Sequence, residues 1–177
     1  MTSITQQELR AMCQEQHTLA EHTIVAQGMV DGTINSVTYK DLCYQLYLIT
    51  DIIESRYSFT QHPDLYRKNK FVEDLAECSA GPVKICESTQ KYVTYLTNID
   101  VEKLKGHIYA HYLGWLYGGQ MIAKKLRLPS NHLAFNNVKS TVDYVRQNIL
   151  NDLSTEDGEE AVVAFKNIIA IYEELVP

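Results

Sequence analysis

The chain carries a histidine followed one helical turn later by a glutamate, His17 and Glu21. A carboxylate beside an imidazole fixes the tautomer of the ring and raises its basicity, which suits the ring to bind a metal ion. A single helical histidine is also common on a surface or in a core, so the spacing leaves both interpretations open. His107 and His111 form a second helical pair, and His111 precedes a run of glycines.

Three glycines, Gly114, Gly118 and Gly119, interrupt a stretch that otherwise has the composition of a continuous helix. Glycine in a helix interior costs about 1 kcal/mol relative to alanine. Gly114 and Gly118 are four residues apart and share one helix face. A face without side chains lets a flat ligand approach the backbone and favours a bend. The same spacing also suits close packing of two helices across small residues.

The pattern of apolar residues predicts helices throughout the chain and no β-sheet. Thr5 and Glu8 have the spacing of a capping box, as do Ser154 and Asp157, and Gly28 is predicted to end the first helix. The predicted helices cover residues 6–27, 38–57, 65–78, 83–96, 101–126 and 138–153, with a last one that runs to residue 175. The sequence therefore predicts an all-α bundle of about seven helices.

Length and composition are those of one globular domain over residues 1–177, with 45% hydrophobic and 21% charged residues. The net charge of -6 argues against nucleic acid, whose phosphates require a basic surface. No apolar run approaches the roughly 20 residues needed to span a bilayer. The four cysteines lack metal-type spacing, and we interpret them as reduced thiols of a cytoplasmic protein. No Glu-x-x-His, phosphate loop or nucleophile elbow occurs, which disfavours those enzyme classes.

Segments along nearly the whole chain resemble, in order and spacing, the heme oxygenase family. His17-Thr-x-Ala-Glu21 resembles the segment that carries the proximal heme-iron ligand of the family. Tyr109-x-x-Tyr-Leu-Gly-x-Leu-x-Gly-Gly-Gln120 resembles its distal helix. Further similar segments lie at residues 65–68, 73–76, 92–96, 126–135, 159–165 and 173–175.

The resemblance implies a single heme oxygenase-like helical domain that binds heme between two helices. Members of the family use O2 to oxidise heme to biliverdin, carbon monoxide and ferrous iron, so that heme is both cofactor and substrate. Ferredoxin or another reductase supplies the electrons. The chain is similar to the soluble, bacterial-type members, and we expect a monomer without nucleic-acid or membrane partners.

The resemblance also implies roles for individual residues. His17 would be the proximal ligand of the heme iron, with Glu21 beside it, and Gly114, Gly118 and Gly119 would let the distal helix pass close over the other face. Basic and tyrosine side chains near the heme propionates would be Arg10, Tyr109 and Arg146, with Lys139 as a further candidate. Apolar or aromatic positions near the heme would be Phe135, Phe165 and Tyr172.

The chain departs from the family directly after the first glycine of the distal helix. The family usually has an aspartate there, which anchors a water network that delivers protons, whereas this chain has Trp115. His111 and Tyr47 match polar positions of that network and are candidates to replace the aspartate. Slow turnover by a modified route, or heme binding without cleavage, are the alternatives. We expect an active enzyme.

Two other functions remain open at this point. One is a heme-binding or heme-sequestering protein, and the other is a thiamine-degrading enzyme of the same fold, which uses a cysteine nucleophile. Electron donors of heme oxygenases are acidic, so a basic docking surface is expected. Its candidate residues are Arg67, Lys68, Lys70, Lys124, Lys125 and Arg127.

Overall fold

The computed structural model describes residues 1–176, most of which are helical. Within that range the α-helices are α1 (Gln6–Glu21), α2 (Ile24–Asp31), α3 (Ser36–Arg56), α4 (Lys68–Glu77), α5 (Glu87–Asn98), α6 (Leu104–Leu116), α7 (Gly118–Lys125), α8 (Val138–Tyr144) and α9 (Thr155–Glu174). The connections include three short 3-10 helices and a π-helical turn, at Pro63–Leu65, Val101–Lys103, Asn131–Leu133 and Val145–Ile149. None of the helices described combines the length and apolar character that crossing a membrane requires.

The first predicted helix, residues 6–27, is two helices in the structure. α1 ends before His22, and α2 begins after Thr23, whose hydroxyl accepts a hydrogen bond from the backbone N–H of Ala26. A threonine in this capping role starts a new helix instead of continuing the old one. Gly28 lies inside α2, so the prediction that it ends a helix was wrong. The end comes at Gly32, which takes a left-handed φ of 71°.

The predicted helix over residues 101–126 is also divided. α6 ends at Leu116, and Tyr117 leaves helical geometry with φ of -106° and ψ of -82°. The side-chain amide of Gln120 donates hydrogen bonds to the carbonyls of Trp115 and Leu133, at 3.0 and 2.8 Å. A carbonyl near the break is thereby satisfied. These two breaks account for nine α-helices among residues 1–176 where about seven were predicted.

A two-stranded antiparallel sheet joins the amino-terminal residues to the start of α9. Its strands are β1 (Ser3–Ile4) and β2 (Leu153–Ser154), with Ser3 opposite Ser154 and Ile4 opposite Leu153. The prediction of no sheet was therefore wrong, because strands of two residues are too short to show alternation. Leu153, the last residue of the predicted helix 138–153, lies in the second strand.

Both predicted capping boxes are confirmed. The Thr5 hydroxyl accepts from the Glu8 backbone N–H at 3.1 Å, and the Glu8 carboxylate accepts from the Thr5 N–H at 2.7 Å. Ser154 and Asp157 form the same motif at the start of α9. These contacts satisfy N–H groups that have no partner inside the helix.

α9 is the helix against which both α1 and α6 pack. At Gly106 of α6 an added Cβ would lie 2.5 Å from the Asp157 carbonyl oxygen and 2.6 Å from the Ala161 nitrogen, so the two backbones touch. Mostly small side chains join the three helices in one cluster, formed by Cys13, Ala20, Ala110, Ala161, Ala164 and Phe165. α1 and α6 thus flank α9 on a side where few side chains project.

Candidate functional site

His17 lies on the exposed side of α1, where three helices meet. Its side chain is 47% exposed, and its Nδ1 lies 3.6 Å from Oε1 of Glu21. The ring meets Phe165 of α9 edge-on, with centroids 5.5 Å apart. Phe165 shares its cluster with Ala110 of α6. Because Nδ1 faces the carboxylate, Nε2 is the nitrogen that can bind a metal.

Gly114 follows Ala110 by four residues and shares its face of α6, whereas Gly118 is the first residue of α7, beyond the break at Tyr117, so the prediction that Gly114 and Gly118 share a face of one continuous helix was wrong. A Cβ added at either glycine would meet no atom within 4 Å, and both residues are exposed. Open space therefore borders the end of α6 and the start of α7. We use the name glycine groove for the surface of the protein between His17 and these two glycines. This surface passes Phe165 and Ala110.

Gly119 has a different environment from the other two glycines. It is buried, and an added Cβ would lie 2.7 Å from a methyl carbon of Leu133. Both interpretations of the glycines, access for a flat ligand and close packing of helices, therefore apply, but to different residues. Gly114 and Gly118 leave the backbone open, whereas Gly119 permits close packing.

Trp115 is part of the core. Its side chain is 9% exposed, and its ring makes edge-type contacts with Phe71, Tyr112 and His132 at centroid distances of 5.5, 5.0 and 6.3 Å. The position after the first glycine therefore supplies packing and no carboxylate.

Two arginines lie near Tyr109 of α6. Burial raises the pKa of the Tyr109 hydroxyl, as does Cys13 beside it, while the positive charges of Arg10 and Arg146 act in the opposite direction. The guanidinium carbon of Arg146 also lies 5.6 Å from the ring centroid of Tyr117, the residue at the α6–α7 break. The structure thus brings these predicted propionate contacts together around one tyrosine.

Other predicted site residues lie apart from this group. Lys139 pairs with Asp143 at 3.1 Å on the exposed face of α8. Tyr47 of α3 packs against Tyr44, with ring centroids 6.1 Å apart. Tyr172 packs against the main core, and burial raises its pKa to about 12.

Phe135 packs beneath a buried arginine. The guanidinium carbon of Arg67 lies 3.9 Å from the Phe135 ring centroid, and both residues line a separate cavity of about 320 Å³. Arg67 is 2% exposed and donates hydrogen bonds to the carbonyls of Asp64, His132 and Ala134. The prediction that Arg67 belongs to a docking surface was therefore wrong, because its charge is used inside the protein.

The hydrogen-bond partner of His111 is Tyr92, which the sequence analysis did not single out. The Tyr92 hydroxyl lies 3.1 Å from Nε2 of His111 and 2.6 Å from Nδ1 of His107. His107 in turn lies 2.8 Å from Glu160. Two histidines four residues apart in an apolar helix were the available signal, because buried imidazoles need polar partners on neighbouring helices.

His132 is buried, although its position in a connection suggested a surface residue. Its Nδ1 lies 2.6 Å from Oδ2 of Asp74, and its ring stacks on Phe71 at 4.3 Å. Burial lowers the pKa of His132, and the carboxylate of Asp74 only partly offsets this effect.

All four cysteines are free thiols in the structure. Burial raises the pKa of each, including Cys86, for which it reaches about 12; the others are Cys13, Cys43 and Cys78. A thiol with a raised pKa is a poor nucleophile at neutral pH.

The chain is similar in sequence to known proteins over most of its length. A sequence model of the heme oxygenase family matches residues 4–168. The heme oxygenase of Porphyra purpurea is 30% identical over 144 residues, which are 72% of this chain and 61% of that protein. The chain thus spans less than two thirds of the length of this curated relative.

Solved structures give the same result for the fold. Heme oxygenase-1 of the cyanobacterium Synechocystis, in complex with heme, superposes with a TM-score of 0.83 at 25% identity, over 96% of this chain and 90% of that one. Heme oxygenase-2 of the same organism, in complex with heme and NO, gives 0.84 at 25% identity, over 96% and 84%. The chain belongs to the heme oxygenase family.

Proposed function

We propose that this protein binds heme in the glycine groove and degrades it to biliverdin, carbon monoxide and ferrous iron. The observation that carries the proposal is the open space beside Gly114 and Gly118, together with the half-exposed imidazole of His17, whose ring contacts Phe165 of α9. Membership of the heme oxygenase family supports the same reaction.

The residues of the groove fit the chemical character of heme. A flat apolar ring suits the exposed backbone at Gly114 and Gly118, and an imidazole is a common ligand of heme iron. Arg10 and Arg146 near Tyr109 supply the cations that two propionates require. Heme bound between α1 and α6 would therefore be held by His17 on one face and lie against the bare backbone at Gly114 on the other.

Bound heme supplies the iron that activates O2 and the ring that is oxidised. The part of the protein is to position and protect these groups. Glu21 orients the His17 ring so that Nε2 faces outward. The backbone at Gly114 and Gly118 would limit the space left for small molecules, and the indole of Trp115 is buried in the core and adds no polar group there.

We propose that an acidic donor such as ferredoxin or a reductase delivers electrons, and that the protein acts as a monomer in the cytoplasm. Lys124, Lys125 and Arg127 are exposed at the end of α7, the helix that begins at Gly118, and just beyond it. Lys68 and Lys70 are less suited to docking because they pair with Asp51 and Glu73.

The test is to add hemin to the purified protein, record the Soret band, and then supply reductant and follow biliverdin absorption. We expect stoichiometric binding followed by biliverdin formation. His17→Ala should remove the proximal bond and change the spectrum, whereas His22→Ala, an exposed histidine just after α1, should not. An unchanged spectrum for His17→Ala would overturn the ligand assignment, and failure to bind hemin would overturn the function.

The same experiment separates the rival functions. A Soret band without biliverdin would indicate heme binding without turnover, an outcome that Trp115 in place of an acid would explain. Thiamine cleavage has less support, because burial raises the pKa of all four thiols.

A further inference from the structure

Four polar side chains form a continuous hydrogen-bonded chain through the core behind the glycine groove. It runs from His111 on α6 to Tyr92 on α5, back to His107 on α6, and on to Glu160 on α9. The successive distances are 3.1, 2.6 and 2.8 Å. The Tyr95 hydroxyl donates to both carboxylate oxygens of Glu160, at 2.9 and 2.8 Å. We call the four residues His111, Tyr92, His107 and Glu160 the relay chain.

The relay chain is closed off from water along its length. Tyr92 and His107 are 0% exposed, His111 is 3% exposed and Glu160 is 6% exposed. Polar groups buried in this way are costly unless each is hydrogen-bonded. Here they bond to one another, which fixes their geometry.

The positions of the protons follow from the chemistry of the groups. A carboxylate only accepts, so His107 donates from Nε2 to Glu160. Its Nδ1 then accepts from the Tyr92 hydroxyl, and the Tyr92 oxygen accepts from Nε2 of His111. At the His111 end of the relay chain, Nδ1 therefore carries no proton and presents a lone pair.

The electrostatic environment favours this resting state. Burial raises the pKa of Glu160, but hydrogen bonds from His107 and Tyr95, together with the positive charge of Lys103, outweigh it and the net pKa is lowered. Burial, and then the proximity of His107, lowers the pKa of His111 to about 3. At neutral pH the relay chain thus holds a carboxylate at its outer end and a neutral ring at its inner end.

The two ends of the relay chain have different neighbours. His111 is three residues before Gly114, so the two are neighbours on α6, and its ring lies 5.9 Å from that of Trp115. At the other end, Tyr95 is partly exposed beside Glu160. The relay chain thus begins one helical turn from Gly114, which borders the groove, and ends beside the partly exposed Tyr95.

We propose that His111, Tyr92, His107 and Glu160 relay protons from solvent at Tyr95 to the glycine groove. The proposal rests on heme degradation as the function, because that reaction consumes protons in the groove. His111 and Tyr92 would thus take over, by a different route, the task that an acidic residue at position 115 performs elsewhere in the family.

The transfer balances in four steps. The transfer starts once Glu160 is protonated from solvent and the relay chain takes the opposite tautomer, in which both histidines carry their proton on Nδ1 and the Tyr92 hydroxyl donates to Nε2 of His111. Glu160 then passes its proton to Nε2 of His107, and the Nδ1 proton of His107 passes to the Tyr92 oxygen. The hydroxyl proton of Tyr92 passes to Nε2 of His111, and the Nδ1 proton of His111 passes to an acceptor in the groove. One proton has then moved from Glu160 to the groove, and Glu160 is again ionised. The relay chain is then in its resting tautomer, and a new protonation of Glu160 with the same change of tautomer prepares the next transfer.

The first test reads the tautomer of His111 by ¹⁵N NMR on the heme-free protein at pH 7. We expect Nε2–H in the wild type. Glu160→Gln can donate as well as accept, so it should move His111 toward Nδ1–H even though the two residues do not touch. Adding Tyr92→Phe should abolish that shift, whereas Tyr39→Phe, at a buried tyrosine outside the relay chain, should preserve it. If Glu160→Gln leaves the tautomer of His111 unchanged, the proposal is overturned. This outcome does not depend on whether the Tyr92→Phe variant folds.

The second test uses hemin-loaded protein in H2O and D2O. Tyr92→Phe should bind hemin normally but slow ring opening by about a hundredfold, the typical effect of losing a proton-transfer group, and should change the solvent isotope effect. Tyr39→Phe should change neither. Ring opening at the wild-type rate in Tyr92→Phe would overturn the relay. If the wild type itself opens no ring, the function fails, while the tautomer measurement still decides whether the relay chain exists.

Discussion

Asp74 of α4 is a buried carboxylate that accepts several hydrogen bonds. It accepts hydrogen bonds from the backbone and side chain of Asn131 and from the backbone and ring of His132. The ring of His132 then lies against Phe71 and Trp115. One carboxylate thus holds the connection before α8 against the core that contains Trp115.

Replacing Asp74 with asparagine should destabilise the protein by about 3 kcal/mol, because buried donors lose a charged acceptor. Urea unfolding monitored by circular dichroism measures the change. Asp143→Asn, at an exposed pair with Lys139, is the matched control and should cost less than about 1 kcal/mol. Equal losses in the two variants would contradict this account.

His111 should make the protein sensitive to acid. Its pKa is lowered to about 3 in the folded state, so below about pH 6.5 the unfolded chain binds a proton that the native protein does not. The contribution of His111 to the free energy of unfolding is therefore fully present above pH 6.5 and is lost as the pH drops, by about 1.4 kcal/mol per pH unit.

His111→Gln should remove that contribution, so its stability should fall less steeply between pH 6 and pH 4 than that of the wild type. Denaturant unfolding at several pH values gives the slope, and His22→Gln shows the effect of removing an exposed histidine. Parallel curves for the wild type and His111→Gln would show that His111 is not held neutral.

At the level of single residues, the sequence allowed prediction of local pairs and missed distant ones. The spacing of His17 and Glu21 within one turn of helix was enough to predict that they would be neighbours, and they are. The partners of His107 and His132 lie 53 and 58 positions away. Such pairs depend on tertiary packing, which no local pattern specifies.

The glycines of α6 have opposite roles at the scale of helices. Gly106 lets α6 touch the backbone of α9, whereas Gly114 faces open space. Glycine is thus needed for packing at the first position and for access at the second.

Gly106→Ala should therefore destabilise the fold by about 1–3 kcal/mol through overpacking. Gly114→Ala should be neutral or stabilise it by up to about 1 kcal/mol through helix propensity, yet weaken hemin binding. Thermal unfolding and hemin titration of both variants check the two effects. A Gly114→Ala variant with wild-type hemin affinity would show that heme does not approach this backbone.

Helix boundaries were predictable where a side-chain cap marks them and less so at internal breaks. The capping boxes at Thr5 and Ser154 located the starts of α1 and α9. The break at Tyr117 depends on Gln120 reaching the carbonyl of Leu133, a tertiary contact. The apolar pattern continues across it, so the segment was predicted as one helix.

For the whole molecule, the net charge of -6 conceals a basic region at the end of α7. Lys124→Glu should slow electron transfer from an acidic donor by about tenfold at low salt and less at high salt. Stopped-flow reduction of the hemin complex measures the rate. Lys91→Glu, an equal charge change on exposed α5, should have little effect, and equal slowing by both would indicate that only net charge matters.

The amino-terminal segment has a consequence for heme capture. β1 pairs with β2, and the side chain of Gln6 donates to the carbonyls of Arg146 and Leu150 at 2.9 and 3.0 Å. These bonds fasten the beginning of α1, the helix of His17, to the turn that carries Arg146. The groups proposed to bind the heme iron and its propionates are therefore held in place before any ligand binds. The entropy of arranging them is lost when the chain folds and would not weaken association with the porphyrin.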